Sequence, residues 1–154
     1  EFKTFLKISP PLRTEEDRLS LVQGIKENLI DVIVSDHLPE DEESKRLPFA
    51  QAATGAIGIE TLLPLALEMY HNESLPLNKI IETITINPSK ILKINKGSLK
   101  KGADGDICIF DLEAPWKLDA EKLKSKSKNT AIEDRKLQGK VLMTFLNGEL
   151  VFNQ

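Results

Sequence analysis

The residues best suited to chemistry stand together at Ser35, Asp36 and His37, directly after the apolar run Val32-Ile33-Val34. A carboxylate beside an imidazole offers a metal ligand, a proton carrier, or both. Asp36 could equally cap a turn, as aspartate often does after a strand. The β-branched run reads as a strand buried on both faces. Pro39 stops its pairing. Parallel α/β sheets collect functional side chains at the carboxyl ends of their strands, and that is the position these three polar residues occupy.

The rest of the chain adds little chemistry. It contains no Cys-x-x-Cys, His-x-His, His-Glu-x-x-His, Gly-x-Ser-x-Gly or glycine-rich phosphate loop. The other histidine, His71, lies beside Asn72 near an expected helix end and reads as a solvated surface residue. A catalytic metal site takes about three protein ligands, so Asp36 and His37 do not complete one. Cys108 is the only cysteine, which rules out an internal disulfide and makes a reducing cytoplasm the default. Within the apolar run Ile107–Phe110 it reads as a buried, inert thiol.

The 154 residues carry a formal charge of −3, which gives no reason to expect nucleic acid or an anionic membrane as partner. No apolar run reaches the 18 residues a membrane span needs. The N-terminal residues lack signal-peptide features and read as a strand already under way, so the chain is expected to begin mid-protein.

Around the Asp36 stretch, the pattern predicts a strand at Phe5–Ile8 and a helix capped by Thr14. Leu21, Val22, Ile25 and Leu29 would share the apolar face of that helix. With Val32–Val34 this makes a parallel βαβ unit, whose strands need neighbours that the sequence does not supply. Glu40–Arg46 reads as a solvated charged loop. Gly55 and Gly58 would allow close backbone approach to a ligand, or simply turn the chain.

An apolar helix covers Ile59–Tyr70, starting late or kinking at Pro64. A second runs from Pro76 to about Ile86, and Asn87 caps a third ending near Gly97. Strands follow at Ile107–Asp111 and around Trp116–Leu118, then a polar, lysine-rich stretch from Ala120 to Arg135. Asn147-Gly148 signals a type I′ hairpin between Val141–Leu146 and Glu149–Phe152. The chain thus divides into an α/β part, residues 1–96, and a small β part, residues 97–154.

Six segments, in order, resemble the last third of class I dihydroorotases, of the amidohydrolase superfamily. They are Lys7-Ile-Ser-Pro-Pro-Leu-Arg13, Val34-Ser-Asp-His-Leu-Pro39, Gly58-Ile-Glu-Thr-Leu-Leu-Pro64, Asn87-Pro88, Gly97-Ser-Leu-Lys-Lys-Gly-Ala-Asp-Gly-Asp106 and Lys124-Ser-Lys-Ser-Lys-Asn-Thr130. The Asn-Pro and Gly-rich pieces belong to the whole superfamily. The first, third and last are more specific and favour dihydroorotase over hydantoinase and allantoinase.

The resemblance implies an α/β fold. Residues 1–96 would be the C-terminal part of a (β/α)8 TIM-type barrel, with its last two strands and helices, and residues 97–154 a small β-sandwich-like domain. It implies a zinc enzyme of pyrimidine biosynthesis that interconverts N-carbamoyl-L-aspartate and L-dihydroorotate, with most metal ligands (a His-x-His pair, a carboxylated lysine, two further histidines) outside this chain. Asp36 would ligate the metal and carry the proton from the attacking water to the leaving amide nitrogen, with His37 behind it, orienting Asp36 or a neighbour.

Ser9, Glu40 and Gly55 fall at the substrate-binding positions. Ser9 stands where many members have asparagine, and Glu40 where a histidine often meets the substrate carboxylate. An ionised Glu40 would repel that carboxylate unless Arg13 or Lys45 compensates. Gly55 retains a small residue that could offer its backbone to the pyrimidine ring.

The resemblance also implies a homodimer, for which the sequence carries no signature. Two other readings stand beside the enzyme: an inactive scaffold for aspartate carbamoyltransferase, and a hydrolase of another cyclic amide. The 154-residue chain alone is expected to be inactive.

Overall fold

The helix expected after Thr14 forms as α1, Glu15–Lys26. In the computed structural model, which describes residues 2–72 and 74–154, Thr14 Oγ1 accepts the Asp17 N–H at 3.2 Å. The Asp17 carboxylate in return accepts the Thr14 N–H at 3.1 Å and hydroxyl at 2.8 Å. This is a reciprocal cap with aspartate at the third helical position, and the Thr14 donors hold the Asp17 carboxyl below its usual range. Asn28, at φ 61°, ends the helical path. Of the four residues expected on the apolar face, Val22 and Ile25 pack inward. Leu21 and Leu29 are exposed, and Leu29 lies past the helix end.

Two compact units are each assembled from three separate stretches. One holds Leu21–Ile33, Leu63–Trp116 and Leu137–Gln154. Its core is Ile25, Ala66, Leu75 and Ile80, flanked by Val22, Ile30, Ile33, Met69 and Tyr70. Helix α3, Leu62–His71, starts late, so Pro64 falls in its first turn, where a missing N–H is tolerated. Helix α4 is Leu77–Ile84 and α5 is Ile86–Ile91. Asn87 is not the cap of α5. Thr85 holds that position, and the Asn87 amide donates instead to Asp31 O at 2.9 Å. His71 is half-buried rather than solvated, with its Nε2 buried and unpartnered among the described residues.

The same unit contains a three-stranded sheet in the order β1-β2-β3. Strand β1, Ile107–Lys117, is continuous where two short strands were expected. Strands β2, Lys136–Leu146, and β3, Glu149–Asn153, pair antiparallel with a bulge between Thr144 and Phe145. Asn147 (φ 52°) and Gly148 (φ 82°) supply the positive dihedrals a type I′ turn requires. Cys108 is exposed, not buried, because Ile107, Cys108 and Ile109 are all open to solvent at this end of β1. Partial desolvation still pushes its thiol above the usual value.

The second unit comprises the chain up to Ser20, Val34–Leu62 and Lys117–Lys136. The charged run is not simply a solvated loop here, since Glu42–Lys45 forms a short helix, α2, with Lys45 buried. After a 3₁₀ turn at Ala120–Lys122, the lysine-rich stretch continues irregularly and buries Asn129 and Thr130.

Neither expected N-terminal strand forms. Thr4–Leu6 is a 3₁₀ turn, and Val32–Val34 pairs with no strand among the described residues. Ile33 donates instead to Thr83 O at 3.1 Å, and Val34 is 70% exposed rather than buried on both faces. A parallel strand is held by ladders to its neighbours, and the chain offers this run none. Among the described residues no helix is long and apolar enough to cross a membrane.

Candidate active site

The site begins where the chain reverses after Val34. Asp36 sits at φ 42°, a left-handed conformation that aspartate tolerates better than most residues. Its carboxylate is exposed and makes no hydrogen bond or ion pair among the described residues. It does not cap a turn. His37 is half-buried, and its Nδ1 accepts the N–H groups of Gly58 (3.2 Å) and Ile59 (3.4 Å). With both donors aimed at Nδ1, the neutral ring carries its proton on Nε2.

Gly58 is required by that contact. A Cβ there would lie 2.5 Å from the Ser35 carbonyl oxygen, so only glycine lets the two backbones approach this closely. His37, Ile57–Thr61 and Leu123 line a shallow depression beside it. Glu60 anchors the far wall by accepting the N–H groups of Lys124 (2.9 Å) and Ser125 (3.0 Å).

Asn129 ties the loops together from within. Its Oδ1 accepts the Glu40 N–H at 3.2 Å, and its Nδ2 donates to Leu38 O at 3.1 Å and to Gly55 O at 3.4 Å. Its backbone carbonyl accepts the Ile57 N–H at 3.2 Å. An asparagine side chain offers two donors and an acceptor, and this one uses both kinds. The segment Lys124–Thr130 thereby fixes the loops that carry Asp36, Glu40 and Gly55.

The four other expected site residues are placed as follows. His37 meets Gly58 and Ile59 rather than Asp36. Glu40 is half-buried, with its backbone held by Asn129. Gly55 is buried at φ 145°, with Leu38 where a Cβ would go. Ser9, which precedes a cis peptide bond to Pro10, is exposed, and no hydrogen bond links it to Asp36, His37 or Glu40 among the described residues.

Lys45 is not available to offset Glu40 at a substrate. It is buried, and its ammonium donates to the carbonyls of Lys7 (3.2 Å), Ala53 (3.0 Å) and Gly55 (2.9 Å). Burial pulls its pKa down, the charge of Glu40 raises it, and Lys7 lowers it. Arg13 pairs with Asp17 at 3.4 Å on the surface. Lys7 is committed like Lys45, donating to the carbonyls of Phe49 (2.8 Å), Ala50 (3.2 Å) and Ala52 (2.7 Å). The sequence singled out neither lysine as a structural centre. Lys7, Glu60 and Asn129 lie in segments whose pattern stood out, but Lys45 is one charge among several in an acidic run.

No group of three or more His, Cys, Asp or Glu residues that could hold a metal occurs among the described residues. At this site the described residues supply one open carboxylate, Asp36, where a catalytic metal takes about three protein ligands.

The model of the amidohydrolase family matches residues 8–151. A dihydroorotase from Ehrlichia canis (strain Jake) is 46% identical over 149 residues, which cover 97% of this chain and 33% of that protein. A dihydroorotase from Anaplasma phagocytophilum (strain HZ) is 44% identical over 152 residues, 99% of this chain and 34% of that protein. The solved L-hydantoinase (dihydropyrimidinase) from Arthrobacter aurescens superposes with a TM-score of 0.88 at 31% identity, over 99% of this chain and 35% of that one. The chain therefore spans about a third of the length of the relatives it matches. A match across nearly the whole chain, together with a fold shared with a solved cyclic-amide hydrolase, places this chain in the amidohydrolase family.

Proposed function

We propose that these residues are the C-terminal portion of a zinc-dependent dihydroorotase, which interconverts N-carbamoyl-L-aspartate and L-dihydroorotate in the cytoplasm. On this reading residues 1–96 complete a (β/α)8 barrel, residues 97–154 belong to a small β-sandwich-like domain, and the enzyme is a homodimer. The observation that carries the proposal is the convergence in one compact unit of Asp36-His37 with Gly58-Ile-Glu-Thr61 and Lys124–Thr130, the latter two from segments more specific to that activity. The 46% identity to a dihydroorotase supports the same activity.

Asp36 is the one metal ligand and the proton carrier within this chain. Its carboxylate is open and free of internal bonds, so it can take a proton from the water adding to the ring amide carbonyl. It returns that proton to the amide nitrogen as the C–N bond breaks. Zinc, when bound, supplies the Lewis acidity that acidifies water and polarises the carbonyl. Ser9 offers a hydroxyl to the substrate, whereas the Gly55 N–H already donates to Lys7 O at 3.0 Å and its carbonyl accepts from Lys45 and Asn129. Glu40 tells against tight binding of a substrate carboxylate.

The test is to assay the longer protein containing this segment, zinc-loaded, with both substrates. Asp36→Asn keeps size and tolerance of the left-handed backbone but cannot carry the proton. It should lower kcat by about 10²–10⁴-fold. A variant at wild-type rate would sink the assignment. The scaffold reading rests on Ser9 and Glu40. Wild-type protein that co-elutes with aspartate carbamoyltransferase, binds no zinc and turns over neither substrate would favour it. A substrate panel including hydantoins separates the third reading.

A further inference from the structure

We propose that His37 is a positioning residue that holds Asp36 in its left-handed conformation through the backbone of Gly58 and Ile59. The inference deepens the dihydroorotase reading and rests on it. A non-glycine residue at φ 42° costs free energy, and the strain persists only where the surroundings impose it. Aspartate often offsets that cost with a hydrogen bond from its own side chain to nearby backbone. Asp36 makes none among the described residues, so its neighbours must impose the conformation.

They do so on both flanks. Before Asp36, the Ser35 carbonyl oxygen lies 2.5 Å from where a Gly58 Cβ would project. After it, His37 Nδ1 accepts the Gly58 N–H at 3.2 Å and the Ile59 N–H at 3.4 Å. One residue further, the Leu38 N–H donates to Ala56 O at 2.9 Å. Residues 35, 37 and 38 are thus seated on residues 56–59, and Asp36 stands between them with its side chain free. The seat itself is fixed. The Gly58 carbonyl accepts the Thr61 N–H and hydroxyl, each at 3.1 Å, and Thr61 is buried.

His37 is the part of this clamp that a side chain controls. Neither the Gly58 nor the Ile59 amide has another hydrogen-bond partner among the described residues. The Ser35 contact is close packing without a hydrogen bond, and the Leu38 bond lies two residues from Asp36. The imidazole bonds are therefore the nearest attractive hold on the Asp36 backbone. A carboxylate that must meet a metal and a migrating proton gains from a backbone set in advance, since a small misplacement of a reacting group costs rate.

The experiment compares His37→Phe, which keeps a ring but removes the acceptor, with His37→Asn, whose amide oxygen takes the place of Nδ1. Both are made in the zinc-loaded longer enzyme and followed by steady-state kinetics and amide hydrogen exchange. His37→Phe should lower kcat by about tenfold with KM within about threefold, and His37→Asn should recover most of that loss. Added to Asp36→Asn, His37→Phe should cost less than about a further twofold, because the group it positions is already disabled. Exchange at Leu38, Gly58 and Ile59 should quicken by about tenfold in His37→Phe, with the α1 amides unchanged. His37→Gln, with its acceptor one bond further out, carries the test if the phenylalanine variant does not fold. A wild-type kcat in His37→Phe, an equal loss in the Asp36→Asn background, or no rescue by asparagine would overturn the proposal. If the wild type turns over neither substrate, the functional reading fails separately. Unchanged exchange at Leu38, Gly58 and Ile59 would then still overturn the clamp.

Discussion

The site depends on a few residues whose neighbours leave no substitute. Gly58 faces the Ser35 carbonyl so closely that an added methyl would sit 2.5 Å from it. The obstacle is backbone, which cannot swing aside as a side chain can. Gly58→Ala should therefore cost about 1–3 kcal/mol of stability, the range for forced overpacking, seen as a lowered urea midpoint. It should also disturb His37, which takes the Gly58 N–H. Asp36 and His37 stood out in the sequence as polar groups directly following an apolar run. The burial of Lys45 was not legible. Its neighbours in the chain are Glu42, Glu43, Ser44 and Arg46, and nothing in such a run marks the one cation that turns inward to three carbonyls. The suggestion that Lys45 offsets Glu40 at a substrate took its charge into account but not its direction.

Helices were legible wherever a local rule acts on a few adjacent residues. The cap of α1 is an example, since Thr14 and Asp17 satisfy each other across one turn. Thr14→Ala should destabilise by about 1 kcal/mol, measurable by thermal unfolding. Pro64 allowed a late start or a kink, and the late start won because a first-turn proline leaves no N–H unsatisfied. Asn87 misled because an Asn-Pro pair resembles a cap, while its amide had a partner at Asp31 that no local rule foresees.

The β2–β3 turn carries a dependence on acid. Asp106 accepts the Asn147 N–H at 2.8 Å and binds Lys96 at 2.5 Å, which together hold its carboxyl below the usual aspartate range. A carboxyl depressed on folding stabilises above its unfolded pKa and loses that contribution as pH falls through the folded one. Stability should thus fall off below about pH 4, and Asp106→Asn should flatten that part of the profile.

At the level of the molecule, the missing strands carry the lesson. Phe5–Ile8 and Val32–Val34 have strand composition, yet composition cannot supply a hydrogen-bonding neighbour. The sequence had indicated that such neighbours were lacking, and Val34 at 70% exposure agrees with that. The metal donors follow the same logic. With no cluster of three or more His, Cys, Asp or Glu among the described residues, the 154-residue chain purified alone should retain less than about 0.1 equivalents of zinc after gel filtration. Elemental analysis checks this, and stoichiometric zinc would show that the chain builds a site of its own.

Asn129 reaches Glu40 and Leu38 across 89 and 91 residues of sequence. A chain made from its N-terminus exposes the Asp36 loop long before Asn129 exists, so during synthesis that loop waits unlocked. At translation rates of about 5–20 residues per second the delay lasts several seconds. The loop is therefore set only once nearly all of this segment has emerged from the ribosome, and ribosome-bound chains stalled before residue 129 should expose the 36–40 backbone to protease while chains stalled well beyond it protect it.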